Sequence, residues 1–140
     1  MIVVDASVMI RFLLDGSQEE RQRCGGALAS DPILAAPPVF GLEVLGRISG
    51  LMKATGPHRL SQPDALHLIA LWRAVDVQIL DFDPIGNVET LLRLGANLSI
   101  PDASYLALTL AHQDAQLVTL DERLLKGAQH LGYGDRVFTP

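Results

Sequence analysis

Residues 1–14 have the sequence MIVVDASVMIRFLL, and this stretch says most about the fold. An apolar run over residues 2–4 ends at Asp5, and a second apolar pattern then continues to Leu14. This order is typical of a buried strand that leads into a helix. Asp121 follows another apolar run, residues 116–120, much later in the chain. Both acids are therefore predicted at the carboxyl ends of core strands.

Short apolar runs alternate with helical patterns over the rest of the chain. Three helices are predicted with both ends, at residues 7–14, 87–94 and 122–126. A fourth ends near residue 28, a fifth is opened by Pro37 and Pro38, and a sixth is begun by Pro101. The seventh is capped at Ser61, with Asp64 in a capping box. Further strands are predicted at 33–35, 77–80 and 136–138, and Gly95 is predicted as a left-handed C-cap. We therefore expect an α/β fold in a single domain, 1–140, with a parallel sheet of about four to five strands flanked by helices.

Composition narrows the class of protein. The 140 residues are 49% hydrophobic and 19% charged, which favours a folded globular protein over a disordered one. The net charge of −5 argues against a general nucleic-acid binder but not against a nuclease, because a nuclease that holds cations needs clustered acids. The first residues lack the basic segment of a signal peptide, no run is long enough to span a membrane, and Cys24 is the single cysteine, so we expect a cytoplasmic location.

Four of the sixteen acidic residues stand out by their context. Asp5 and Asp121 follow apolar strands, and ligands of open parallel sheets bind outside those strand ends. Glu43 lies between apolar neighbours in a helix, where a charge needs a partner, and Asp102 is predicted at or just before a helix N-terminus.

Each acid also has a structural alternative. Glu43 is four residues from Arg47, a spacing that suits a surface ion pair. Asp102 and Asp121 are both suited to helix N-caps, and Asp5 is placed where it simply ends its strand. Taken singly, none of the four is decisive.

Four segments together resemble the PIN-domain family, specifically the VapC-like toxins of toxin-antitoxin pairs. They are MIVVDASVMIRFLL (1–14), PPVFGLEVLGRI (37–48), SIPDASYLALTLAH (99–112) and AQLVTLDERLL (115–125). The resemblance implies an acidic quartet of Asp5, Glu43, Asp102 and Asp121 that binds metal and catalyses endoribonuclease cleavage of RNA. It also implies supporting hydroxyls at Ser7 and Thr119, for which ordinary capping or strand roles are the alternative, and two partners, a cognate antitoxin and a second copy of the chain.

Clustered carboxylates repel one another, and a hard divalent cation relieves that repulsion. Oxygen ligands favour Mg²⁺ or Mn²⁺, whereas zinc would call for His or Cys. The histidines, at 58, 67, 112 and 130, are not at ligand spacing and are expected to be surface or packing residues. Arg11 and Arg47, with Arg123 behind them, are the candidates for binding RNA phosphates. Tyr105 and Trp72 are candidates for stacking on bases, although the pattern around Trp72 favours packing.

Three other functions remain open from the sequence. One is a different metal-dependent phosphoryl hydrolase, such as a phosphatase with an aspartyl nucleophile, but the second acid common two residues after that nucleophile is missing after Asp5. Another is a catalytically silent PIN-like module that binds RNA or protein, which the intact quartet argues against. The last is a plain interaction domain whose acids serve only as caps and surface charges.

Overall fold

The computed structural model describes residues 1–81 and 83–140, apart from the side chain of Asp15. The helices are α1 (Ala6–Ile10), α2 (Gln18–Leu28), α3 (Val39–Lys53), α4 (Gln62–Ala74), α5 (Val88–Gly95), α6 (Ile100–Ala111) and α7 (Glu122–His130). The strands are β1 (Ile2–Val4), β2 (Leu34–Ala36), β3 (Val77–Ile79), β4 (Gln116–Val118) and β5 (Val137–Phe138). A π-helical turn, Arg11–Asp15, continues α1, and a 3-10 turn, Gly134–Arg136, precedes β5. The predicted α/β class is confirmed.

Within the described residues, five strands form one parallel sheet in the order β3-β2-β1-β4-β5. Starting from the central β1, the chain adds β2 and β3 on one side and then returns to add β4 and β5 on the other. Strands β1 and β4 therefore flank the point where the strand order reverses, which is where open α/β sheets bind ligands. Val4 pairs with Val118, so the two strands end at the same level.

Helix α6 lies in the hydrophobic core. Its residues 103–109 are all buried, and the helix packs against β1, β4 and α5. The sheet residues Val4 and Leu117 are also fully buried. Packing on several sides holds α6, and the acid in its first turn, in a fixed position relative to the strand ends.

Several element boundaries differ from the predicted ones. Helix α2 already begins at Gln18, in a segment expected to precede the helix, because Ser17 and Glu20 form a complete capping box. Helix α7 runs four residues beyond Lys126, since its later turns bury Gly127 and Ala128. The strands β2 and β4 are displaced or shortened by one or two residues relative to the predicted runs, as is common at element ends.

The prediction for Gly95 is wrong. Gly95 is the last residue of α5, and within the described residues positive φ angles occur only at Gly56 and Gly132. The next residue, Ala96, is right-handed. A Cβ atom on Gly95 would lie 3.2 Å from Cδ1 of Ile100. Glycine at this position therefore leaves room for the Ile100 side chain at the start of α6.

The helices also bear on membrane insertion. In the described ranges, none combines the length and apolar character that crossing a bilayer requires.

Candidate active site

Asp5 lies directly after β1 and is buried, with 5% of its surface exposed. Two hydroxyls donate hydrogen bonds to the same carboxylate oxygen, Oδ2: Ser7 Oγ from α1 and Thr119 Oγ1, 2.6 Å away, from the segment after β4. Asp5 precedes α1, but its side chain makes no capping bond there. Its carboxylate is therefore directed to the junction between the two strand ends.

The two hydroxyls also accept hydrogen bonds from the backbone beyond β4. The N–H of Leu120 donates to Ser7 Oγ, and the N–H of Asp121 donates to Thr119 Oγ1, each at 2.9 Å. Each hydroxyl thus joins the Asp5 carboxylate to the chain that leads into Asp121. The structure places Ser7 and Thr119, which the family resemblance suggested, in direct contact with Asp5.

Asp121 is the N-cap of α7. Its Oδ1 accepts hydrogen bonds from the N–H groups of Arg123, at 2.7 Å, and Leu124, at 3.3 Å. Asp121 therefore does have the N-cap role that was its structural alternative. Capping uses Oδ1 and leaves Oδ2 for another interaction.

Asp102 occupies the third position of α6, not the cap. Ser99 is the N-cap: its Oγ accepts from the Asp102 N–H at 3.2 Å and donates to Asp102 Oδ2 at 2.7 Å. Both the predicted placement of Asp102 at or before the helix start and its N-cap alternative are wrong. Pro101 is tolerated in the first helical turn, so the helix starts before it, at Ile100.

Glu43 projects from α3 and is half-buried. Its Oε2 accepts a hydrogen bond from the phenol of Tyr105, a fully buried residue of α6. This contact ties two helices together across 62 residues of sequence. Arg47, the alternative partner considered for Glu43, is exposed one turn later on α3.

The four acids influence one another's charge. Burial raises the pKa of Asp5, the hydrogen bonds from Ser7 and Thr119 lower it, and the negative charges of Asp102 and Asp121 raise it further. Burial also raises the pKa of Glu43, against the lowering effect of the Tyr105 hydrogen bond, and the other three acids add to the increase. All four carboxylates therefore lie within electrostatic reach of a common region.

The donor chemistry of this region suits a hard cation. The recorded hydrogen bonds end on one oxygen of each carboxylate: Oδ2 of Asp5 and Asp102, Oε2 of Glu43, and Oδ1 of Asp121. Among the described residues, however, no three His, Cys, Asp or Glu side chains are grouped so that they could hold a metal ion. Mg²⁺ is often bound through one or two carboxylates while it keeps several waters. The carboxylate oxygens of this region are therefore the type of ligand that Mg²⁺ uses.

Arg11 forms an ion pair with Glu20, with Nη1 2.7 Å from Oε1, and is one of the two arginines expected near the substrate. Its charge is thus partly balanced within the chain. Arg47 and Arg123 are exposed, on α3 and α7 respectively.

The tyrosine and tryptophan expected near the site pack inside the protein, whereas the histidines lie at its surface. Tyr105 is fully buried, so the interpretation that it stacks on RNA bases is wrong. Trp72 meets Phe40 edge-on at a centroid distance of 5.9 Å, which confirms its packing role. The four histidines are exposed, as expected: His58, His67, His112 and His130.

Sequence reasoning missed two contacts of this site, the Ser99 cap and the Tyr105–Glu43 hydrogen bond. The signal for the first was available, because Ser99 stands three residues before Asp102, the spacing of a capping box. The signal for the second was weaker: Tyr105 is three residues after Asp102, and that spacing places both on one face of α6. Nothing local connects Tyr105 with α3.

Comparison with known proteins agrees with this architecture. Residues 2–129 match the family described as the PIN domain. The chain is 35% identical over 124 residues to a protein named VapC ribonuclease Mb0985 from Mycobacterium bovis, covering 89% of this chain and 88% of that relative. It has the same identity and coverage to Ribonuclease VapC9 of two Mycobacterium tuberculosis strains, CDC 1551 and H37Rv. With most of its length matched in this way, the chain belongs to the PIN-domain family and is similar within it to VapC ribonucleases.

Proposed function

We propose that this protein is a metal-dependent endoribonuclease that acts as the toxin of a toxin-antitoxin pair. The observation that carries the proposal is the buried Asp5 carboxylate at the β1–β4 switch point, held by Ser7 and Thr119 within electrostatic reach of the other acids. Membership of the PIN-domain family and similarity to proteins named ribonucleases support it.

The cation in this proposal is Mg²⁺ or Mn²⁺, with ligands drawn from Asp5, Glu43, Asp102 and Asp121. When bound, such an ion supplies an activated water and neutralises the charge that develops on a phosphodiester. The chain's own part is to keep the acids in place. Ser7 and Thr119 both bind Oδ2 of Asp5, an arrangement that leaves Oδ1 for the ion. Asp121 is oriented likewise by its capping bonds.

RNA carries a high density of negative charge and therefore needs cations beside an acidic site. We assign this role to Arg11 and Arg47, because each follows one of the four acids closely in the chain. Arg11 begins the turn that follows α1, close to Asp5 in the chain, and Arg47 lies one turn after Glu43 on α3. The Arg11–Glu20 pair is half-exposed, so its internal attraction is weak enough for a phosphate to compete.

The antitoxin of this proposal is a separate protein that covers the acidic edge and blocks access of RNA. The family resemblance supports it. A cognate antitoxin should abolish Mg²⁺-dependent cleavage when it is present at equal concentration, and cleavage that persists in a stable complex would contradict this part of the proposal.

A second copy of the chain is the other proposed partner. A stripe of four exposed apolar residues begins before α5, follows that helix and ends at the start of α6: Ile85, Val88, Leu92 and Ile100. Ile100 lies next to Gly95, the last residue of α5. A two-fold axis would bury the same stripe on both copies. Light scattering should find a dimer for the wild type and a monomer for Leu92→Glu, and an unchanged dimer would place the interface elsewhere.

The test of the catalytic proposal is Asp5→Asn with Asp64→Asn as the matched control. Asp64 is an exposed acid in the first turn of α4, distant from the cluster in the chain. Purified Asp5→Asn should not cleave RNA in Mg²⁺, and Asp64→Asn should cleave it as the wild type does. Cleavage by Asp5→Asn would contradict the role of Asp5 as a metal ligand. No cleavage by the wild type would favour a silent binding module or a different hydrolase.

A further inference from the structure

Tyr105 is a buried polar group with an unusual partner. The residue has no exposed surface, and its phenol donates a hydrogen bond to Oε2 of Glu43. The hydrogen bond to Glu43 therefore comes from a phenol that is held inside the core.

The position of Tyr105 on α6 adds a second link. Asp102 stands three residues earlier on the same helix, and residues three apart share a helix face. Burial of residues 103–109 fixes this helix against the sheet. A hydrogen bond from Tyr105 consequently fixes Glu43 relative to α6, the helix that carries Asp102.

Glu43 is the acid that most needs such a constraint. Asp5 and Asp121 are short side chains next to strand ends, and each is held by at least two hydrogen bonds. Glu43 has a longer side chain on the half-exposed face of α3, and ordering it costs conformational entropy. The Tyr105 hydrogen bond holds Oε2 of a carboxylate on which the charges of the other three acids act.

We propose that Tyr105 is a positioning residue that holds the Glu43 carboxylate in the orientation needed to bind the divalent cation. This inference rests on the proposed function of the acid cluster. It adds a residue that orients one of the metal ligands without binding the metal itself. Contacts that orient metal ligands typically change metal affinity by about 10-fold to 100-fold when they are removed. A purely structural role is the competing explanation, because a buried phenol needs an acceptor wherever it lies.

The test is Mn²⁺ binding to the full chain, measured by electron paramagnetic resonance or calorimetry without RNA. Tyr105→Phe removes one oxygen and keeps the ring, and Tyr133→Phe is the matched control on a half-buried tyrosine after α7. Tyr105→Phe should weaken Mn²⁺ binding by about 10-fold or more, while Tyr133→Phe should bind as the wild type does. Wild-type affinity in a folded Tyr105→Phe protein would overturn the inference.

A double-mutant cycle separates positioning from general destabilisation. With Glu43→Gln already present, Tyr105→Phe should cause no further loss of Mn²⁺ affinity, because the carboxylate that it positions is gone. An equal loss in both backgrounds would overturn the inference. If Tyr105→Phe does not fold, Glu43→Asp replaces it: this variant keeps the charge but withdraws it from the phenol by one methylene, and wild-type affinity there would also overturn the inference.

The outcome for the wild type distinguishes this inference from the function on which it rests. A wild-type protein that neither binds Mn²⁺ nor cleaves RNA would contradict both the proposed function and the role of Tyr105. A wild-type protein that does both, next to a Tyr105→Phe protein that does both equally well, would remove the role of Tyr105 alone and leave the proposed function standing.

Discussion

Helices α4 and α6 begin with the same Ser-X-Pro-Asp pattern. Ser61-Gln62-Pro63-Asp64 and Ser99-Ile100-Pro101-Asp102 each put a serine at the N-cap, a proline in the first turn and an aspartate at the third position. The hydrogen bonds match as well. Each serine donates to the aspartate Oδ2, at 2.5 Å in α4 and 2.7 Å in α6, and accepts from its N–H, at 3.3 Å and 3.2 Å.

The two aspartates differ in what surrounds them. The charge of Asp102 raises the pKa values of Asp5 and Glu43, whereas Asp64 is exposed at the start of α4. Three residues on, α6 carries the buried Tyr105 and α4 the exposed His67. A capping motif therefore explains how an aspartate is held, and only the neighbouring elements decide whether it also belongs to a site.

The largest expected difference between the two motifs is catalytic. Asp102→Asn should reduce Mg²⁺-dependent RNA cleavage by about 100-fold or more. Removing a contact that only orients a metal ligand costs up to about 100-fold, and losing a ligand itself should cost at least as much. Asp64→Asn makes the same substitution in the other capping motif, at the start of α4, and should leave the cleavage rate unchanged. Initial rates on one RNA substrate measure both, and equal losses would mean that Asp102 acts only through helix stability.

The serine caps provide a smaller and more specific comparison. Ser61→Ala and Ser99→Ala should each lower the free energy of unfolding by about 1 kcal/mol, because each removes one helix cap. Only Ser99→Ala should also slow cleavage, since it releases the Asp102 carboxylate. Chemical denaturation and cleavage rates test the two parts separately. If both variants slowed cleavage alike, the distinction between the motifs would fail.

The smallest effect concerns the metal-free protein and pH. Asp5 and Glu43 have raised pKa values in the folded state, so the folded protein binds more protons than the unfolded chain just above the ordinary carboxyl range, about pH 4. Their contribution to stability therefore falls as pH rises through that window. In Asp5→Asn this fall should be shallower. Urea unfolding across the pH range in a chelator measures it, and parallel slopes in the wild type and the variant would refute the assignment.

Much of the fold was predictable because its signals are local. Apolar runs ending in Asp5 and Asp121, separated by helical patterns, indicated a parallel sheet with both acids at one edge, and the sheet order bears this out. Gly95 was misjudged because its reason is tertiary: it makes room for Ile100, and no local pattern shows that contact.

The site was predictable to a lesser degree. The positions of Asp5 and Asp121 followed from strand ends, but those of Glu43 and Asp102 depended on resemblance to a family. The position of Asp102 was wrong by three residues relative to the cap, because Ser99 competes for the same role. The Tyr105–Glu43 contact joins α6 to α3, and its absence from the prediction reflects a packing arrangement that one sequence does not show.

We propose above that the carboxylates at the ends of β1 and β4 share a divalent cation. A cation that binds only the folded state at 100 times its dissociation constant stabilises it by about 2.7 kcal/mol. Melting temperatures of the wild type and of the Asp5→Asn, Asp121→Asn double variant, each with and without Mn²⁺, test this directly. The melting temperature should rise clearly in the wild type and not in the double variant, and equal rises in both proteins would contradict a shared cation.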